Sequence, residues 1–243
     1  MRVKDKVVIL IGADEVGFSL AKGLTKEGAK LVIGDEKKDK AEIAAREVNA
    51  VAIECDITKN ESVRQIVDQT LEKFGRIDAL VNNVWTNKLC SFTEMTEKLW
   101  DEIIDKNLTG AFRCARAVVP TMKKQGRGRI VQITSLSGLS GSEWGEVHFC
   151  TSQAALMGFI RCLARELGGS NIYANAISTA PMECDSYFQT YSRDRVEATK
   201  AFVALGRLCK PEDVVEPVLF LLSDDNNFVT GEILSVGGGL YMR

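Results

Sequence analysis

The chain has 243 residues, and 45% of them are hydrophobic, which is enough to bury a large core. Its formal net charge is −2, so the composition gives no sign of a basic nucleic-acid surface. A single histidine excludes a histidine-based metal cluster, and seven scattered cysteines without a Cys-x-x-Cys pair favour reduced thiols and a cytoplasmic location. No apolar run is long enough to span a bilayer, and the N-terminus lacks a signal-peptide pattern.

Short apolar runs alternate with amphipathic stretches from one end of the chain to the other. The runs predict strands at Lys6–Ile11, Ala29–Ile33, Ala50–Glu54, Ala79–Val81, Arg129–Thr134, Tyr173–Ile177 and Glu232–Val236. The stretches between them predict a helix carrying Val16, Leu20 and Leu24, and helices at Lys37–Val48, Glu61–Phe74, Glu97–Lys124, Phe149–Leu167 and Pro211–Leu222. This order predicts one α/β domain over residues 1–243, a Rossmann-like, doubly wound, parallel seven-stranded sheet flanked by helices.

The turn after the first predicted strand carries two glycines, Gly12 and Gly17, with Asp14 and Glu15 between them. Glycines at such a turn let the backbone approach a dinucleotide pyrophosphate and let the helix pack on the strand. Carboxylates beside a pyrophosphate repel it unless they point away. A tight turn that keeps glycine only for packing is therefore the alternative interpretation.

Polar side chains also follow the next three predicted strands. Asp35 could hold a ribose diol and favour NAD over NADP, or it could be a solvated loop acid. Asp56 and Asn83 end the third and fourth strands, where they could contact a ligand or order a loop through side-chain-to-backbone hydrogen bonds.

The whole series of motifs resembles the classical short-chain dehydrogenase/reductase family. It comprises the glycine turn, Asp35, Cys55-Asp56-Ile-Thr, Asn82-Asn83-Val-Trp, Asn107-Leu-Thr-Gly-Ala-Phe, Arg129-Ile-Val-Gln-Ile-Thr-Ser135, Asn175-Ala-Ile, Pro211-Glu-Asp-Val, Val229-Thr-Gly-Glu and Val236-Gly-Gly-Gly. The resemblance covers essentially the whole chain and implies an NAD(P)-dependent oxidoreductase fold.

The resemblance implies a catalytic tetrad of Asn, Ser, Tyr and Lys, of which only two members are retained. Asn107 and Ser135 match the first two by position, whereas Phe149 and Gln153 stand at the tyrosine and lysine positions. Phenylalanine has no proton to donate, and glutamine has no charge with which to lower a phenol pKa. We therefore expect no intact catalytic site, with Asn107 and Ser135 as vestiges.

The motifs that bind the cofactor in this family are also incomplete in this chain. Differences from the family pattern occur at Ile11, Trp85, Thr179, Ala180 and Cys184, and the glycine turn lacks one glycine. We expect this chain to bind no cofactor, or to bind it only weakly, through vestigial Gly12, Gly17, Asp35, Asp56 and Asn83. Trp85 and Phe149 are expected to fill the pocket as apolar plugs. No metal site is expected.

These departures suggest a non-catalytic subunit that supports an active paralogue. The expectation is a heterotetrameric, NAD-dependent dehydrogenase in which the partner binds NAD, with interfaces formed by the two long helices and by Gly231–Arg243. Its substrate would be a 3-hydroxyacyl-CoA of anaerobic aromatic degradation, such as 2-[hydroxy(phenyl)methyl]succinyl-CoA. No nucleic-acid or membrane partner is expected.

Two alternatives remain open. One is a non-redox enzyme that uses Ser135, Glu146 or His148, and the other is a ligand- or nucleotide-sensing protein in which Asp35, Asp56 and Asn83 hold an adenosine half. The segment Glu183–Phe202 corresponds to the family's variable substrate loop. It is either a polar lid or, through its tyrosines and arginines, the lining of an acyl-CoA site.

Overall fold

A computed structural model describes residues 1–142 and 144–242 and contains one seven-stranded parallel sheet. The strands are β1 (Val7–Ile11), β2 (Lys30–Asp35), β3 (Val51–Glu54), β4 (Ala79–Asn82), β5 (Gly128–Ser135), β6 (Ile172–Thr179) and β7 (Ile233–Val236). Their spatial order is β3-β2-β1-β4-β5-β6-β7. The predicted Rossmann-like α/β fold is therefore confirmed.

Helices cover both faces of the sheet. They are α1 (Glu15–Lys26), α2 (Lys38–Val48), α3 (Asn60–Phe74), α4 (Glu97–Ile104), α5 (Gly110–Gln125), α6 (Ser137–Ser140), α7 (Val147–Leu167), α8 (Asp185–Thr190), α9 (Arg193–Phe202) and α10 (Val215–Leu222). Two apolar clusters fill the space between the sheet and these helices, one on each face. All five residues of β1 are buried because the strand is central and both of its faces are covered.

The chain reverses its direction of winding between β1 and β4, which are neighbours in the sheet although two strands separate them in sequence. In open α/β sheets a ligand binds outside the carboxyl ends of the strands at this switch point. Here those ends are Ile11 of β1 and Asn82 of β4, which are paired with each other. The topology thus selects the edge at which to look for the site.

Two predicted segments differ in detail from the structure. The helix expected at Glu97–Lys124 is formed by α4 and α5, joined by a π-helical segment at Asp105–Thr109. The wider turn places Asn107 fully inside the protein, where it bonds to a loop. The segment expected as a substrate loop contains the short helices α8 and α9, so it is largely helical.

No helix in the described part of the chain is long and apolar enough to cross a membrane. The same residues contain no cluster of histidine, cysteine and carboxylate side chains that would hold a metal ion. The cytoplasmic location stays a prediction.

Candidate active site

An open cleft of about 1350 Å³ lies over the carboxyl ends of the central strands. Its floor includes the end of β5, its side walls include the start of α1 and the residues after β6, and α8 and α9 cover it as a lid. The segment 185–202 that carries these two helices is called the lid below. The cleft combines polar hydroxyl groups with aromatic side chains, as small-molecule sites commonly do.

Ser135 lies in this cleft at the last position of β5. Its hydroxyl oxygen is 2.7 Å from that of Ser137, and its backbone N–H donates to Oε1 of Gln153 at 3.1 Å. Gln153 also accepts a hydrogen bond from Thr134 Oγ1 at 2.9 Å, and it is fully buried. Gln153 therefore fixes the end of β5, and the serine pair offers hydroxyl groups to a bound molecule.

Phe149 and Trp85 form one wall of the cleft. Their ring centroids are 5.6 Å apart at a tilt of 54°, and Phe149 is buried. The expectation that the two rings fill the pocket is wrong, because a large cleft remains beside them. They line the site rather than close it, and they make that wall aromatic.

Asn107 is placed by the π-helical segment and is entirely buried. Its Oδ1 accepts from the N–H of Thr86 at 2.7 Å, and its Nδ2 donates to the carbonyl of Thr86 and to Ser152 Oγ. These bonds tie the loop after β4 to α7. Asn107 does not line the cleft, so its position in this structure is that of a residue that orders the walls.

The two glycines of the first turn are explained by close contacts within the turn. Gly12 has φ +100°, and a Cβ there would lie 3.0 Å from the carbonyl oxygen of Asn83. A Cβ on Gly17 would lie 1.9 Å from the carbonyl oxygen of Gly12. Both positions therefore require glycine for the packing of α1 against the strand ends, and neither lines the cleft.

The other three candidate cofactor residues also lie outside the cleft lining. Asp35 accepts from the N–H groups of Ala13 and Lys37, at 2.8 and 2.9 Å. Asp56 accepts from Thr58 and pairs with a lysine, as a loop-ordering aspartate would. Asn83 donates from Nδ2 to Asp14 at 2.7 Å, while its buried Oδ1 has no hydrogen-bond partner among the residues that the structure describes.

A polar cluster around Glu146 joins the lid to the body of the protein. The buried Glu146 carboxylate accepts from Asn87, Tyr191, Ser142 and Arg195, the last at 3.1 Å. Burial raises the pKa of this carboxyl, but the hydrogen bonds from Ser142, Tyr191 and Arg195 outweigh it, and the pKa is lowered overall. Glu146 is therefore an ionised anchor, with its acceptor atoms engaged.

Stacking reinforces this cluster on the lid side. The Arg195 guanidinium lies 3.8 Å from the ring centroid of Tyr191 and 4.5 Å from that of Trp144. Burial, followed by the neighbouring Glu146, raises the pKa of Tyr191, so its phenol stays protonated and donates to the carboxylate. From the sequence, Glu146 is a catalytic candidate and Arg195 is a candidate contact for acyl-CoA. No sequence pattern predicts that the two side chains form an ion pair.

His148 is a second candidate that the sequence suggests for acid–base chemistry. It is fully buried in the first turn of α7. Burial lowers its pKa, and it does not line the cleft. A buried neutral imidazole outside the cleft cannot serve as the acid or base of a bound substrate.

The fold and the strand-end cleft define a dinucleotide-type oxidoreductase scaffold. A family model described as enoyl-(acyl carrier protein) reductase matches residues 12–241. The chain belongs to the classical short-chain dehydrogenase/reductase family.

Curated relatives match over the full length. The chain is 32% identical over 246 residues to the 3-oxoacyl-[acyl-carrier-protein] reductase FabG of Thermotoga maritima, covering 99% of both proteins. It is 31% identical to the enzyme of that name from Escherichia coli, with full coverage of both. Among solved structures, gox2181 is similar with a TM-score of 0.94 and 30% identity, covering 98% of this chain and 96% of that one. A short-chain dehydrogenase/reductase from Mycobacterium marinum has a TM-score of 0.95 and 26% identity, covering 100% and 98%.

These comparisons contradict the expectation of a non-catalytic subunit that supports a separate dehydrogenase. The relatives that match end to end carry the names of reductases, which favours an active reductase over an inactive chain. The comparisons give no support to a role in anaerobic aromatic degradation. The expected heterotetramer, including an interface at Gly231–Arg243, stays a prediction, and Arg243 lies outside the described residues.

Membership of the family implies a nicotinamide dinucleotide cofactor, and several residues at the strand ends are suited to binding it. The N-terminus of α1 borders the cleft, Asp35 ends β2 beside the first turn, and the unpartnered Oδ1 of Asn83 is a buried acceptor that a ligand hydroxyl could satisfy. One feature opposes the fit, namely the Asp14 carboxylate at the start of α1.

Proposed function

We propose that this protein is a short-chain oxidoreductase that reduces the keto group of a 3-oxoacyl thioester to a hydroxyl group. The observation that carries the proposal is the full-length match to 3-oxoacyl-[acyl-carrier-protein] reductases, together with an open cleft whose lining includes the Ser135–Ser137 pair. A thioester-bound acyl chain suits a cleft that is large and partly aromatic. The proposed role of the chain itself is to bind the acyl group and to orient its keto oxygen.

In the proposed reaction the keto carbon gains a hydride and the keto oxygen gains a proton. When bound, NADH or NADPH supplies the hydride and is oxidised. Ser135 donates a hydrogen bond to the keto oxygen, and Ser137 holds the Ser135 hydroxyl in place at 2.7 Å. Phe149 cannot donate a proton, so the proton comes from water in the open cleft.

The lack of a tyrosine at position 149 and of a lysine at position 153 sets the expected rate. General acid–base catalysis contributes about 10²–10⁴ to the rate of an enzyme, so turnover should lie below that of a relative with tyrosine and lysine at these positions by about that factor. Positions 149 and 153 are thus proposed to limit the rate and to leave the class of reaction unchanged.

The test is the oxidation of NADH or NADPH by the purified chain in the presence of acetoacetyl-CoA. We expect slow, enzyme-dependent formation of the hydroxyacyl thioester and a further loss of activity in Ser135→Ala. Ser170→Ala, in the short turn Gly168–Ser170 that follows α7 and outside the cleft lining, is the matched control and should retain the parental rate. No hydroxyacyl product with either dinucleotide would contradict the proposal.

A further inference from the structure

The start of α1 already contains an anion of its own. Asp14 is the N-cap residue of α1, and its Oδ1 accepts from the N–H of Gly17 at 2.9 Å. The same oxygen accepts from Nδ2 of Asn83 at 2.7 Å. Asp14 also lines the cleft, so its carboxylate occupies the place where a helix N-terminus would present N–H groups to a bound phosphate.

The charges around Asp14 are unfavourable for a second anion. Burial raises the pKa of Asp14, and the nearby acids Glu15 and Asp35 raise it further, while the bonds from Gly17 and Asn83 oppose the shift. No cation pairs with Asp14 in the described part of the chain. A pyrophosphate beside α1 would therefore meet an uncompensated carboxylate.

A second observation concerns the side chain that is bonded to Asp14. Asn83 is 2% exposed, and its Oδ1 has no partner among the described residues, although its Nδ2 is bonded to Asp14. Buried side-chain acceptors are normally satisfied, so this atom indicates a hydrogen-bond donor that residues 1–142 and 144–242 do not supply. The turn thus combines an atom suited to a ligand hydroxyl with a carboxylate that opposes a ligand phosphate.

We infer that Asp14 is a specificity-determining residue that keeps the affinity for dinucleotides low by occupying the anion site of α1 with its own carboxylate. The inference rests on the proposed function, because it concerns the site for that reaction's dinucleotide. It also predicts a difference between ligands. Adenosine, which has no phosphate, does not compete with Asp14, whereas NADH does.

The test measures NADH binding by titration calorimetry in the parent chain, Asp14→Asn and Glu72→Gln. Asparagine keeps an acceptor for the helix cap and removes only the charge. Because like charges a few ångströms apart repel strongly near a protein surface, Asp14→Asn should bind NADH at least about tenfold more tightly. Glu72 is exposed on α3 and lies outside the cleft lining, so Glu72→Gln should change affinity less than about threefold.

Asp14→Ser, which also caps helices, repeats the measurement if the asparagine variant folds poorly. Adenosine affinity should be equal in the parent and in both position-14 variants. Equal NADH affinity in the parent and Asp14→Asn overturns the inference, including the case in which neither binds. Tighter NADH binding without any thioester reduction would overturn the proposed function alone, whereas reduction with no change on substitution would overturn the inference alone.

Discussion

Replacing Glu146 by glutamine should release the lid. The substitution keeps the size of the side chain and removes the charge that receives hydrogen bonds from four groups. It leaves the Arg195 guanidinium, whose side chain is 14% exposed, without its ionic partner. The glutamine N–H₂ group would also face donors where the carboxylate oxygen accepted from them.

The size of the effect follows from the burial of the pair. Breaking a buried ion pair by removing one member costs about 3–5 kcal/mol, and we take about 3 kcal/mol because glutamine retains one acceptor oxygen. For a protein of this size, 1 kcal/mol corresponds to roughly 2–4 °C in Tm, so the expected loss is about 6–12 °C.

Thermal unfolding and amide hydrogen exchange together measure this effect. The amides of the lid, residues 185–202, should lose protection first because α8 and α9 are anchored through Tyr191 and Arg195. Glu183→Gln is the matched control, since Glu183 is exposed, and it should leave Tm within about 1–2 °C. A Tm equal to that of the control and unchanged lid exchange would refute the anchoring role of Glu146.

Three further predictions concern the turn and the cleft. Because the pKa of Glu146 is lowered, its contribution to the free energy of unfolding is present above the unfolded pKa of about 4.3 and is lost as pH falls through the lower folded value. The difference in stability between the parent and Glu146→Gln, measured by denaturant titration, should therefore narrow in acid. A difference that widens there would contradict the role of Glu146 as an ionised anchor. The raised pKa of Asp14 has the opposite effect, because its ionised carboxylate lowers the free energy of unfolding above the folded pKa. Asp14→Asn should therefore be more stable than the parent near neutral pH. The difference should shrink as pH falls from the raised folded value towards the unfolded value of about 4, and a parent that is the more stable protein at pH 7 would count against this. The double substitution Phe149→Tyr with Gln153→Lys should raise the steady-state rate of thioester reduction by a factor of about 10²–10⁴. Phe149→Tyr alone should raise it less, because no ammonium group then lowers the phenol pKa. No gain in a folded double variant would show that these two positions do not limit the rate.

The fold could be predicted from the sequence because its signals are local and repeated. Each buried strand is an apolar run, and the order of runs and amphipathic stretches fixes a parallel, doubly wound topology. The observed strand ends differ from the predicted ones by a residue or two. The last pairings of a strand, such as Ser135 with Thr179, depend on the neighbouring strand and are not encoded locally. The π-helical turn at Asn107 was not predictable, because it results from bonds to Thr86 and Ser152 in other parts of the chain.

The sequence indicates which residues belong to the candidate site better than it indicates their contacts with one another. The structure brings Ser135, Phe149 and Gln153 together in the lining of the strand-end cleft, and the motif spacing sets their positions in the chain. Glu146 and Arg195 are 49 residues apart in the chain, and no sequence pattern predicts a contact between them. The inference from missing groups to an inactive subunit failed on comparison with full-length reductases, because the lack of a tyrosine and a lysine lowers an expected rate without excluding the reaction.

The most direct test of the central claim is a single-turnover experiment with a stereospecifically deuterated NADH or NADPH and acetoacetyl-CoA, at excess enzyme. Mass spectrometry of the product measures whether deuterium reaches the carbon that carried the keto group. The account predicts enzyme-dependent transfer of one deuterium, slowed further in Ser135→Ala and accelerated in Phe149→Tyr with Gln153→Lys. Product without deuterium, or no product from the parent chain and the double variant alike, would contradict a reductase acting in this cleft.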